Sequence, residues 1–269
     1  MSTGAAEGRP LPHSAAWRPW CLLAALAVAV VALVPPLGTV ARRTEYGEAA
    51  QFSLLAIALP ALVAVGAPWR RLALATLPER APGLFERLAD HRLRQRELPR
   101  SLVFIACDLG VAIVWHAPVA VAAVAAHGWL ALVEALTLLV FGLGLWLELV
   151  ESPPLVPRSG PLRRVVLGAL CMWTFWIMAY LVGLSNRGFY PNFHHTVGSL
   201  SAASDEQIGA VELWFVATAA FVPVIFWNAL RWLQSEEDPD AELLVLAREE
   251  RRRGAPPFSP RRHGGAPSP

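Results

Sequence analysis

"WLALVEALTLLVFGLGLWLELV", residues 129–150, carries only two carboxylates among twenty-two residues and is otherwise almost wholly apolar. A hydrocarbon core of about 30 Å takes about 20 helical residues to cross. In lipid no water is present to bond free N–H and C=O groups, so a single segment of this kind must be a helix. Five other stretches share the pattern: Cys21–Gly38, Ala49–Ala67, Leu102–Val124, Val165–Leu184 and Ile208–Leu233. The expected fold class is therefore all-α, an integral membrane bundle of six transmembrane helices.

Composition agrees. The chain is 55% hydrophobic with a mean hydropathy of +0.44, beyond the range of ordinary soluble domains. All 23 basic residues are arginine, a usage that points to a GC-rich bacterial genome and hence to a bacterial inner membrane. A net charge of +2, with no phosphate-binding loop and no zinc-finger spacing, gives no case for nucleic acid. Cys21, Cys107 and Cys171 lie in or beside apolar runs and read as small buried hydrophobes.

Arginines orient the spans. They cluster after the second segment (Arg70 to Arg100), after the fourth (Arg158, Arg163, Arg164) and in the C-terminal tail (Arg248 to Arg262). The other connections are poorer, so the positive-inside rule places both termini in the cytoplasm. The first segment reads as an uncleaved helix, because its polar lead is long for a signal peptide. The expected organisation is a cytoplasmic N-terminal tail over 1–20, a six-helix domain over 21–234 and a disordered Arg/Pro-rich cytoplasmic tail over 235–269. "ERLADHRLRQRELPR" (86–100) reads as an amphipathic basic helix near anionic lipid.

Ionisable groups inside spans are costly and raise a functional question. With this topology Glu48, Gln51, His116, His127, Glu134, Asp205, Glu206 and Glu212 fall in the outer third, and His194 and His195 in an outer loop. Asp108 and Glu148 lie towards the inside. Carboxylate and imidazole donors drawn together there suit zinc or oxidised copper. The same residues also suit a proton or ion path, or polar contacts that hold helices in register. Met172, Met178 and Cys171 read as packing rather than as soft ligands.

Several pieces together resemble the CtaG-type family of cytochrome c oxidase assembly factors. They are "AIALPALVAVGAP" (56–68), "WHAP" (115–118), "FGLGLW" (141–146), "ESPP" (151–154), "FYPNF" (189–193) and "DEQIGAVELW" (205–214). The resemblance implies a non-enzymatic accessory role in oxidase assembly, with the lipid bilayer and oxidase subunits as partners and copper as the metal. It also implies where the ligands stand. The family's second helix reads His-x-x-Gln-His, where this chain has "EAAQF", so Glu48 and Phe52 occupy the histidine positions. The fourth helix reads His-x-x-Glu-His, where "ALVEA" puts Ala131 and Ala135. The candidate metal residues that remain are His116, Glu134, Glu48, Gln51 and Asp205, with Gln207 beside them. Copper and no metal stand as equal expectations. A small ion or proton transporter and a purely structural membrane partner are the alternatives from other classes.

Overall fold

The computed structural model describes residues 16–69, 91, 97–157, 159–185, 188–193 and 200–236. The terminal tails, most of the basic stretch over 70–96, and His194 and His195 lie outside the described residues. Every named element among the described residues is helical.

In chain order these are α1 (Arg18–Leu33), a single turn α2 (Leu37–Val40) and α3 (Glu45–Ser53). A wide π-helical turn, Leu54–Ala58, leads into α4 (Leu59–Gly66). Then follow α5 (Glu97–Trp115), α6 (Pro118–Ala126), α7 (Gly128–Leu149), α8 (Pro161–Gly183), a 3₁₀ turn over Pro191–Phe193, and α9 (Ala202–Glu236). Five segments are long and apolar enough to cross a membrane, and the pair α5 and α6 makes a sixth if it counts as one broken span. Their perimeter is apolar: Trp20 is 71% exposed and Val119 82%, with Leu26, Leu181, Phe226 and Trp227 also open. Water would not tolerate so continuous an apolar surface, whereas lipid tails would. The chain is a multi-pass membrane protein.

Two boundaries differ from the sequence expectation, and both carry consequences. The second and sixth spans begin at Glu45 and Ala202, before the apolar runs that start at Ala49 and Ile208, so Glu45 joins Glu48, Asp205 and Glu206 in helical turns. The third segment, expected as one crossing from Leu102 to Val124, is broken into α5 and α6 with a bend of 66°. The cause is local. Pro118 has no N–H to give and disfavours helical geometry in the residue before it. Ala117 is accordingly extended, at φ −73 and ψ 140.

Inside the bundle, α8 packs along α9, α3 also packs on α9, α1 packs on α4, and α7 bridges α4 and α5. Trp146 of α7 stacks on Phe221 of α9 with centroids 4.9 Å apart. The wide turn before Pro60 accommodates a proline within the second span, where a regular helix would bring its ring against the carbonyl one turn back. Helix α7 meets this step at Gly142. A Cβ there would lie 2.9 Å from Pro60 Cγ and 3.2 Å from the Ala56 carbonyl oxygen, neither of which can swing aside. The Gly of "FGLGLW" and the Pro of "AIALP" are thus two sides of one close contact.

At one end of the bundle, Glu148 is fully buried and accepts from Arg100 Nε and Nη2, each at 3.0 Å, and from Ser101 Oγ at 3.0 Å. This bidentate, hydrogen-bonded arrangement is what allows a carboxylate to stay buried there. Gly142→Ala is expected to lower stability by about 1–3 kcal/mol through overpacking. Thermal unfolding of purified protein in detergent would check this, with Gly110→Ala as the control, since a Cβ at Gly110 meets nothing within 4 Å.

Candidate functional site

The buried polar groups gather mainly at the other end of the bundle, around the first turns of α3, α7 and α9 and the break between α5 and α6. Three arrangements occur there.

The first is the start of α3. Its N-terminal N–H groups have no helical partners of their own. Thr44 Oγ1 accepts from Gly47 N at 3.3 Å. Asp205, reaching across from α9, accepts from Glu45 N at 2.9 Å through Oδ2 and from Tyr46 N at 3.1 Å through Oδ1. All the orphan donors of the first turn are thereby satisfied, and a negative group sits at the positive end of the helix dipole. The neighbouring Glu206 does the same for the loop: its Oε1 accepts from Phe189 N and, at 2.9 Å, from Tyr190 N.

The second is the helix break. Because α5 stops at Trp115, the carbonyl of His116 has no helical donor. Tyr190 Oη supplies one at 2.9 Å. Burial, reinforced by the carboxylates of Glu48, Glu45 and Glu206, pushes the Tyr190 phenol far above its ordinary range, so it stays protonated and able to donate. The His116 ring lies between Phe52, at a centroid distance of 4.9 Å, and Tyr190, edge-on at 5.7 Å. It is 6% exposed, and neither ring nitrogen has a hydrogen-bond partner among the described residues.

The third is a cavity of about 250 Å³ lined by Glu48, Gln51, Glu134, Arg42, Gly128 and Ala131, with apolar neighbours from α1 and α6. Glu48 and Glu134 both line it, near enough for the carboxylate of Glu134 to act electrostatically on Glu48. Gln51 is anchored by Nε2, which donates to the Ala32 carbonyl at 2.7 Å.

The five residues singled out in the sequence are therefore divided. Glu48, Gln51 and Glu134 share the cavity. His116 is packed among aromatic rings and does not line it. Asp205 has both oxygens committed to the backbone of α3. His127 is exposed, stands at the N-cap position of α7 with no capping side-chain bond, and does not line the cavity. Among the described residues no three His, Cys, Asp or Glu side chains gather as a metal ligand set. Glu45 was not singled out, yet it is 1% exposed and has neither oxygen paired among the described residues. Its carboxylate fills the space where a Cβ of Gly209 would be, and Glu48, Asp205, Glu206 and Glu212 all act on it electrostatically. The signal was present in the i, i+3 spacing of Glu45 and Glu48.

A helical membrane protein with paired carboxylates at one end is the class these features define. Residues 3–235 match the model of the family described as cytochrome c oxidase caa3 assembly factor (Caa3_CtaG), and the chain belongs to that family. No curated protein matches it, nor does any solved structure. The family's motifs acquire physical roles here. "WHAP" makes the break and the Tyr of "FYP" caps it. The Asp of "DEQIG" caps α3, and its Gly admits Glu45.

The copper that the family resemblance implies finds a poor donor set. The cavity offers two carboxylates and an amide, with no sulfur and no imidazole, and these are hard oxygen donors. Ala131, where the resemblance implies a histidine, is part of the cavity wall.

Asp205→Ala is expected to cost about 0.5–2 kcal/mol by uncapping α3. Tyr190→Phe is expected to cost about 1–3 kcal/mol by leaving the His116 carbonyl without a donor. Unfolding in detergent would measure both, with exposed Gln207→Ala as the neutral comparison.

Proposed function

We propose that this chain acts in cytochrome c oxidase assembly as a non-catalytic membrane scaffold, without a copper centre of the family's histidine type. The observation that carries the reading is the cavity of Glu48, Gln51, Glu134 and Ala131, where oxygen donors and an alanine stand in place of imidazoles. The membrane is the bacterial inner membrane, crossed six times with α5 and α6 together forming the third crossing. Both termini are cytoplasmic, and the carboxylate-rich end faces out. The arginine distribution supports this orientation, since Arg100, Arg164 and Arg231 all lie at the opposite end of the bundle. The six-helix domain runs over 21–234, with cytoplasmic tails over 1–20 and 235–269. At the outer face, oxidase subunits would meet the end of the bundle that the α3–α9 junction and the Tyr190 loop hold in place.

Deletion of the gene is expected to lower the amount of assembled oxidase while leaving copper per assembled oxidase unchanged. Activity, haem spectra and metal content of isolated membranes would measure this. Normal oxidase levels in the deletion strain would overturn the assembly role. A normal amount of oxidase protein that lacks copper, and is rescued by added copper, would restore the metal-delivery reading.

The site has its own test. Combined Glu48→His and Ala131→His places two imidazoles on the cavity beside Glu134. The double variant is expected to retain copper or zinc through purification where the natural sequence does not. Stoichiometric metal on the natural sequence, lost in Glu134→Ala, would refute the scaffold reading of this cavity.

A further inference from the structure

We propose that the cavity at the arginine-bearing end of the bundle binds the headgroup of an anionic phospholipid. This cavity, of about 410 Å³, lies where α1 and α8 begin and α4, α7 and α9 end. Three guanidinium groups from three different helices line it: Arg18 of α1, Arg164 of α8 and Arg231 of α9. A single carboxylate, Glu151, stands among them. Glu151 contacts Arg231 directly and lies 3.7 Å from Arg164 Nη1.

The three cations are not equivalent. Arg164 is committed to the protein: Nε donates to the Ser159 carbonyl at 2.8 Å and Nη2 to the Pro157 carbonyl at 3.2 Å. Arg18 has no carboxylate partner among the described residues, and its guanidinium rests 5.6 Å from the Trp17 ring centroid. Arg231 meets Glu151 through one nitrogen and has a side chain 39% exposed, leaving further N–H donors at the mouth. Set against one carboxylate, three guanidinium groups leave an uncompensated positive charge. A phosphodiester beside Arg18 and Arg231 would neutralise it and accept from planar donors.

The walls decide between a lipid and a free anion. Val65, Pro223 and Val224 are apolar, and Trp17 and Trp227 stand 51% and 62% exposed. Exposed indoles of this kind sit at the level of lipid headgroups, and basic pockets between spans on the positive side take anionic lipid. A soluble phosphate would meet the charge but leave the apolar wall uncovered. A diacyl phospholipid covers both, with its headgroup on the arginines and a chain along α9.

The test uses the full chain purified in detergent. Native mass spectrometry would compare retention of phosphatidylglycerol and of phosphatidylcholine with the same acyl chains. The expected result is clear preference for phosphatidylglycerol, reduced about tenfold by combined Arg18→Gln and Arg231→Gln. Glu151→Gln is expected to raise retention, a change of opposite sign that structural damage would not produce. Should the double variant fail to fold, Arg18→Gln alone is expected to lower retention about fivefold, because Arg18 holds no ion pair. Arg42→Gln, at the carboxylate-rich end, is expected to change nothing. Equal retention of the two lipids, or unchanged preference in both arginine variants, would overturn the proposal. So would displacement of bound phosphatidylglycerol by millimolar inorganic phosphate, which would make the site one for a free anion.

Discussion

The hydrogen bond from Tyr190 to the carbonyl of His116 holds together the part of the structure that departs most from a simple bundle. A helix interrupted inside a membrane exposes backbone groups that lipid cannot satisfy, so an interruption persists only where protein supplies the missing partner. Pro118 forces the interruption and Tyr190 supplies the partner. The loop that carries Tyr190 is in turn fixed by Glu206, which accepts from two of its N–H groups. One residue earlier, Asp205 fixes the start of α3. The first turns of α9 therefore organise both the broken span and the helix that brings Glu45 and Glu48 into the interior.

This linkage changes the meaning of several charged residues. Asp205 and Glu206 look like candidate ligands when only their position in a membrane segment is known. In the folded chain both Asp205 oxygens and one Glu206 oxygen meet backbone donors, and their role is to hold elements in place. Glu148 with Arg100 and Ser101 does comparable work at the opposite end. Among the described residues, polar atoms without a hydrogen-bond partner remain on Glu45, Glu48, His116, Glu206 and Glu212 near the carboxylate-rich end, and on Asp108 deeper in the bundle. Of these, only Glu48 opens onto the cavity shared with Glu134.

The family's glycines and prolines are explained by close approach. Gly142 lets α7 lie against Pro60, and Gly209 leaves room for the Glu45 carboxylate. Each is a place where two backbones, or a backbone and a charged group, come nearer than any side chain would permit. Such contacts tie together motifs that are far apart in the chain, so their order along the sequence is a record of packing as much as of chemistry.

By itself the sequence determined the class of structure, because the need to satisfy every backbone group in lipid turns each long apolar run into a helix. It also carried the resemblance to an oxidase assembly family, and at Glu48, Phe52, Ala131 and Ala135 it departs from the histidines which that resemblance implies. It put His116, Glu134, Glu48, Gln51 and Asp205 towards one end of their spans, and of these Glu48, Gln51 and Glu134 line one cavity. What only the tertiary structure decided was which polar atoms were already spent. Helical position gives depth along the membrane normal, but it leaves open which way a side chain turns and what it meets. His116 stands beside the break, and its ring faces Phe52 and Tyr190 instead of the cavity. Glu45 lay unnoticed three residues ahead of Glu48, because the helix begins one turn earlier than its apolar residues do.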